Sequence, residues 1–265
     1  MVILITGISS GFGYETAKAL SLKGHCVYGT VRKEVEKLPG VHYLQVDVRD
    51  RNAVFVAVNQ IIAEQGRLDA LVNNAGIGIG GPAEFASEED IRAITETNFY
   101  GFVNCVQAAV PHMRRQKSGR IVMLSSIGGL MGLPFQSFYS AGKFAIEGFS
   151  EALRIELRSS GISVTMINPG DCRTGFTASR KKTVVADDVA EAYPSYGKSM
   201  QSIESDEMNG LKPTAVADAI VSVLESKRPP LRKIVASPVQ KLSVAVKAML
   251  PARWFSVILG KYYKL

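Results

Sequence analysis

Between Lys227 and Leu265 there is not one Asp or Glu, against nine Lys and Arg. With those nine set aside, the 31 bases of the 265-residue chain fall to 22 against 24 acids, so the whole of the +7 formal charge lies in the tail. The body is close to neutral, and no nucleic-acid partner is expected. Cysteine is scarce: Cys26, Cys105 and Cys172 form no CxxC pair and are too few for a disulfide framework, which points to a reducing, cytoplasmic setting. Histidine is as scarce, and His25, His42 and His112 show no metal-ligand spacing, so no metal site is expected. The opening apolar run, Val2 to Ile5, is too short for a membrane span and lacks the basic flank of a secretory leader. No repeat or low-complexity tract is present.

What the chain does have is 46% hydrophobic residues, enough for one large core. Short apolar runs alternate with longer helical patterns, the mark of a single-domain α/β Rossmann fold with a doubly wound parallel sheet of about seven strands. Strands are read at Val2–Thr6, Cys26–Val31, His42–Val46, Ala70–Asn73, Gly119–Ser125, Ser163–Ile167 and Lys233–Ala236. Helices are read near Gly13–Leu22, Asp50–Glu64, Glu88–Arg115, Phe138–Ser159 and Thr214–Ser226. The stretch 176–210 breaks the alternation and reads as a lid over the site. A dinucleotide-binding and catalytic domain is therefore expected over 1–237, followed by a basic amphipathic extension over 238–265.

Directly after the first strand comes Thr6-Gly7-Ile8-Ser9-Ser10-Gly11-Phe12-Gly13, opening into a helix. Glycines let the backbone approach a pyrophosphate, and the free N–H groups of a helix N-terminus stabilise its charge. After the second strand, where an acid would select the ribose hydroxyl of NAD(H), stand Arg32 and Lys33. They suit the 2′-phosphate of NADP(H), which is the expected cofactor. Farther on, Tyr139 and Lys143 lie at i and i+4 in a helical pattern and so share a face. A free tyrosine titrates near about 10, and a neighbouring cation favours its phenolate.

The TGxxxGxG spacing resembles the fingerprint of the classical short-chain dehydrogenases/reductases, and further stations of that family follow in order. Asp47 and Val48 resemble its element beside the adenine, Asn74-Ala75-Gly76 its motif after the fourth strand, and Pro169-Gly170 with Thr174 the segment that holds the nicotinamide. The resemblance implies that Tyr139 exchanges a proton with the substrate oxygen and that Ser126 orients that oxygen. It also implies that Lys143 tunes Tyr139 and holds the nicotinamide ribose, and that Asn98 presents a backbone group to a relay water. The pocket half is the more specific: Ser126 to Phe135, continuing to Tyr139 and Phe144, looks like the hydroxysteroid and retinol dehydrogenases. That implies a lipophilic alcohol or ketone, with Leu130, Met131, Leu133 and Phe135 lining part of its pocket; Tyr193, Tyr196 and Met200 of the lid, a segment that matches nothing in the family, are the candidates to touch it from above. Ser125, on the other side of a continuing strand, is expected to point away. One departure from the pattern is Gly142, in place of a small polar residue.

The expected activity is thus hydride transfer between nicotinamide and a secondary alcohol or ketone, by a homodimer or homotetramer. Rival readings are a reductase of a small carbonyl compound, a non-catalytic NADP(H)-binding regulator, a membrane-attached scaffold and a sugar epimerase. In the tail, Leu242, Val246, Met249, Trp254, Phe255, Val257, Ile258 and Tyr262 alternate with Lys241, Lys247, Arg253 and Lys261, with a break at Pro251. An apolar face so dense is expected to pack on the domain, the alternative being peripheral contact with a membrane.

Overall fold

The computed structural model describes residues 1–183 and 191–265. Seven parallel strands form one sheet: β1 (Val2–Ile5), β2 (Cys26–Val31), β3 (Val41–Gln45), β4 (Ala70–Asn73), β6 (Gly119–Leu124), β7 (Ile162–Pro169) and β9 (Arg232–Val235), in the order β3-β2-β1-β4-β6-β7-β9. A two-stranded parallel pair, β5 (Ile79–Gly80) with β8 (Lys181–Lys182), was not expected from the sequence. Central β1 and β4 are buried at every position, as strands covered on both faces must be. One face carries α2 (Arg51–Gln65), α4 (Gly101–Gln116) and α5 (Ser137–Glu156), whose Val58, Phe102 and Ile146 join Leu4, Leu71 and Met123. The other carries α1 (Gly11–Leu22) and α8 (Pro213–Glu225), whose Leu20 and Ile220 meet Ile3, Val72 and Val122. This is the expected doubly wound sheet in a single domain.

The chain leaves β1 toward β2 on one side and β4 toward β6 on the other, which opens a crevice at the carboxyl ends of the strands. Several helix starts are set locally: the Asp50 carboxylate accepts from Ala53 N at 3.0 Å and the Ser87 hydroxyl from Asp90 N at 3.1 Å. The long helix expected over Glu88–Arg115 is instead α3 (Glu88–Thr95), a π-helical turn at Glu96–Tyr100, and α4. Asn98 sits in that turn with both ends of its amide tied to Ile77, Oδ1 accepting from Ile77 N at 2.8 Å and Nδ2 donating to Ile77 O at 2.9 Å. This two-point anchor holds the wider turn in place.

Beyond β7 the lid begins with the short α6 (Phe176–Ser179) and resumes with α7 (Tyr196–Met208), while residues 184–190 of the expected lid lie outside the described part. The tail forms α9 (Pro238–Met249) and α10 (Ala252–Tyr262), broken at Pro251 as expected. Ser237 and Gln240 close a capping box at the start of α9. Phe255 is buried, and Tyr263 packs against Phe135, Met200 and Ile203 beside the lid. The outer face is bare: Val239 is 70% exposed, Met249 83% and Trp254 65%. The tail therefore both packs inward and presents an uncovered apolar face.

Candidate active site

One cavity runs along the carboxyl edge of the sheet, from the loop after β1 to the lid. Its first half is walled by Gly7, Ser9, Ser10, Gly11 and Phe12, then by Arg32, Asp47, Val48, Asn74, Ala75 and Gly76. The loop is braced from behind. Thr6 Oγ1 accepts from the backbone of Asn74 and Ala75 at 2.9 and 3.0 Å, and Asn74 Nδ2 donates to the carbonyls of Thr6 and Gly7 at 2.8 and 2.9 Å. Gly7 has φ +72°, and a Cβ there would stand 2.9 Å from Ala75 Cα, so only glycine fits this turn. The result is a concave backbone surface at the N-terminus of α1, which fits a pyrophosphate. Asp47 is gripped by Arg49, whose Nη2 donates at 2.6 Å, and that hydrogen bond holds its carboxyl below the usual range. Arg32 stands at the rim, just past β2, with no acid of the second strand beside it. Two expected residues are placed elsewhere: Lys33 is exposed and absent from the wall, and Gly13 lies behind the loop against Gly7 and Asn74.

Ser126, Tyr139, Lys143 and Asn98 line the same cavity, together with Pro169, Gly170 and Thr174. The Ser126 hydroxyl caps the turn that follows it, accepting from Gly128 N at 3.0 Å, and it stands on the side of Tyr139, whose phenol it influences. Lys143 is buried under the tyrosine, with Nζ 5.7 Å from the Tyr139 ring centroid, and donates to Leu124 O at 2.6 Å. The charge balance differs from the sequence expectation. Burial dominates at Tyr139 and pushes its phenol above the ordinary value, the Ser126 hydroxyl pulling it back only in part. Burial also draws Lys143 down to about 8, opposed by the nearby Glu147 carboxylate. Near neutral pH the pair is therefore a protonated phenol over an ammonium, the state that can give a proton to a carbonyl oxygen.

A buried chain beneath Ser126 was not read from the sequence. Asn168 Nδ2 donates to Ser126 O at 3.0 Å and to Glu147 Oε1 at 2.6 Å, and Glu147 Oε2 accepts from Arg232 at 2.5 Å. The available signal was Glu147 at one turn beyond Lys143, on the face Lys143 shares with Tyr139. Ser125 also borders the cavity, but its hydroxyl is sealed beside Gly129 and points away as expected.

In the substrate half, only Leu133 of the four expected apolar residues lines the cavity. Leu130 is half-buried outside it, and Met131 is sealed in the turn after Ser126. Phe135 forms a separate apolar knot with Tyr193, Tyr196 and Met200, the lid residues expected to meet substrate. From this knot only Ile203 and Tyr263 reach the cavity wall. That wall also includes Phe176, Thr177 and three acids, Asp171, Asp206 and Glu207. The Phe176 ring centroid stands 5.7 Å from that of Tyr139.

The family model described as short chain dehydrogenase matches residues 1–184. A 3-ketodihydrosphingosine reductase of Bacteroides thetaiotaomicron is 46% identical over 264 residues, covering 100% of this chain and 98% of that protein. Human 17-beta-hydroxysteroid dehydrogenase type 1 is 34% identical, covering 87% of this chain and 76% of that protein. A crystal structure of a short-chain dehydrogenase from Streptomyces avermitilis superposes with a TM-score of 0.79 at 30% identity, covering 98% of this chain and 97% of that one.

Proposed function

The chain belongs to the short-chain dehydrogenase/reductase family, and from that premise we propose that it reduces the ketone of a lipophilic, long-chain amino ketone with NADPH. The observation that carries the reading is the meeting of Ser126, Tyr139 and Lys143 at one cavity that also contains the glycine loop. As an enzyme of this family it acts on the alcohol/carbonyl couple with a nicotinamide cofactor. The residues present fit that cofactor: Gly7 to Phe12 would hold the pyrophosphate, Arg32 the 2′-phosphate, Asp47 and Val48 the adenine. Asn74 to Gly76, Pro169, Gly170 and Thr174 would hold the nicotinamide end. When bound, the reduced nicotinamide supplies the hydride that the carbonyl carbon accepts.

The protein's own residues do the rest. Ser126 donates to the carbonyl oxygen and fixes its distance from Tyr139. Tyr139 gives its phenolic proton to that oxygen as negative charge develops on it. The Lys143 ammonium, below, stabilises the phenolate left behind. Asn98, anchored to Ile77, supports the turn through which a relay water would return the proton. Asn168, held by Glu147, steadies the Ser126 backbone.

Reduction, like the amino ketone, is favoured by the end-to-end similarity to a 3-ketodihydrosphingosine reductase. A steroid or retinoid is the second reading, on the similarity to a hydroxysteroid dehydrogenase. Purified protein assayed with NADPH and NADH against 3-ketodihydrosphingosine, a ketosteroid, retinal and a small ketone tests both by nicotinamide absorbance. The amino ketone with NADPH is expected to give the highest kcat/KM, and no turnover of it refutes the proposal. The bare face of α9 and α10, apolar with interspersed lysines, is further proposed to rest in the interface of an anionic membrane on its cytoplasmic side, where such a substrate resides. Among the described residues, no helix is long and apolar enough to cross a membrane.

A further inference from the structure

The cavity wall facing Tyr139 is acidic. Asp171, Asp206 and Glu207 all line it, and among the described residues the one cation paired with any of them is Arg180, which donates to Glu207 Oε1. Their other partners are neutral. Thr177 donates to Glu207 Oε2 at 2.6 Å, Tyr262 to Asp206 Oδ2 at 2.9 Å and Gln240 to Asp171 Oδ2 at 2.5 Å. With all three ionised, two negative charges stand at the wall without a countercharge. Burial, and after it repulsion from Glu207 and Asp206, shows its effect at Asp171, whose carboxyl is pushed up to about 6. A half-enclosed site that holds carboxylates in this way is complementary to a cation.

The one paired cation does not reach the other two acids. The Arg180 side chain is 0% exposed and is not part of the cavity wall, so its hydrogen bonds meet the wall only through Glu207. Its guanidinium lies 5.8 Å from the centroid of Phe176, the ring that faces Tyr139. Among the described residues Asp171 and Asp206 thus stand without a paired cation on the wall that faces the proton donor.

We infer that this cluster receives the polar head of the substrate: Asp171 and Asp206 hold a protonated amine on the carbon beside the ketone. The inference rests on the amino-ketone reading and names the residues that select it. Glu207 is a positioning residue, since its two oxygens are taken by Arg180 and Thr177. The alkyl chain then leaves past Leu133 and Ile203 toward the tail. A steroid or retinal carries no cation and would leave the acids uncompensated.

Binding of decylamine and decanol to the full chain with NADP(H), and the kcat/KM ratio for 3-ketodihydrosphingosine over the same ketone lacking the amine, test this together. Wild type should bind the amine at least about tenfold more tightly than the alcohol and show a similar kcat/KM preference. In Asp171→Asn/Asp206→Asn, which keeps the hydrogen-bond acceptors for Tyr262 and Gln240, both ratios should fall to within about threefold of unity. Equal wild-type affinity for amine and alcohol overturns the inference even if the variant does not fold, as do ratios that survive the substitutions. The two proposals fail separately: tight amine binding without ketone turnover refutes the reaction, whereas turnover without amine preference refutes the head site.

Discussion

The two ends of the cavity are held in different ways. The loop after β1 is fixed by backbone geometry and by Thr6 and Asn74, residues at the ends of adjacent parallel strands whose register leaves little freedom. The substrate end is held by side chains brought from far along the chain: Tyr262 to Asp206, Gln240 to Asp171, and the Ser199 hydroxyl donating to Tyr263 O at 2.5 Å. The first end is part of the sheet, and the second is an assembly of lid and tail that can be altered without touching the sheet. Cofactor binding and substrate choice are accordingly separable properties of this protein.

The sharpest way to break that separation is at Tyr139, expected both to border the cofactor with its ring and to transfer the proton with its hydroxyl. Tyr139→Phe should lower kcat by about a hundredfold to ten-thousandfold, while titration of NADPH by fluorescence gives an affinity within about threefold of wild type. A larger loss of cofactor affinity would show that the two ends are not independent. At the cofactor end, Arg32→Asp should cost about tenfold to a hundredfold in NADPH affinity and spare NADH, leaving the ketone KM unchanged. Equal wild-type affinities for the two cofactors, unaltered by the substitution, would remove Arg32 from the site.

At the substrate end, ending the chain after Ser237 should raise the ketone KM by about tenfold, through loss of Tyr262, Tyr263 and Gln240. It should also lower the melting temperature by about 5 to 10 °C, as Phe255 and Tyr263 leave their packing. Co-sedimentation with anionic vesicles should be lost at the same time. An unchanged melt would show that the inner face of the tail adds nothing to stability, and full-length protein that ignores anionic vesicles would show that the bare face serves something other than lipid. The smallest effect is in pH. Because burial lowers Lys143 to about 8, its ammonium is present below that pH and is lost as pH rises through it, so the reduction rate should fall about tenfold per pH unit above it. A flat profile between pH 7 and 9, at saturating substrates, would show that another charge stabilises the phenolate.

How much was legible follows the same division. Apolar runs of strand length and the glycines after β1 act locally, so the sheet, the loop and the Tyr139–Lys143 face could be read directly. The β5–β8 pair has two residues per strand, too short for any periodicity to register. Met131 and Phe135 are apolar in sequence whether they face substrate or core, and only the turn at Ile127–Gly129 and the docking of α7 decide it. Asp171 follows β7 whereas Asp206 and Glu207 sit together on α7, and nothing in their local sequence shows that they share a wall. The tail was expected to pack on the domain, and its bare outer face escaped that reading because an apolar residue looks the same in sequence whether it faces the domain or solvent.

Gly170 connects the ends in one further respect. A Cβ there would meet the flexible end of Gln240 and lie 2.7 Å from the Cβ of Ala236, in the turn before α9, so Ala236 is the firmer reason that residue 170 lacks a side chain. The two positions are then expected to change together over evolutionary time. Relatives with a side chain at 236 should keep glycine at 170 whether or not they carry the extension. Covariation between 170 and 236 among aligned homologues would be the historical trace of that contact.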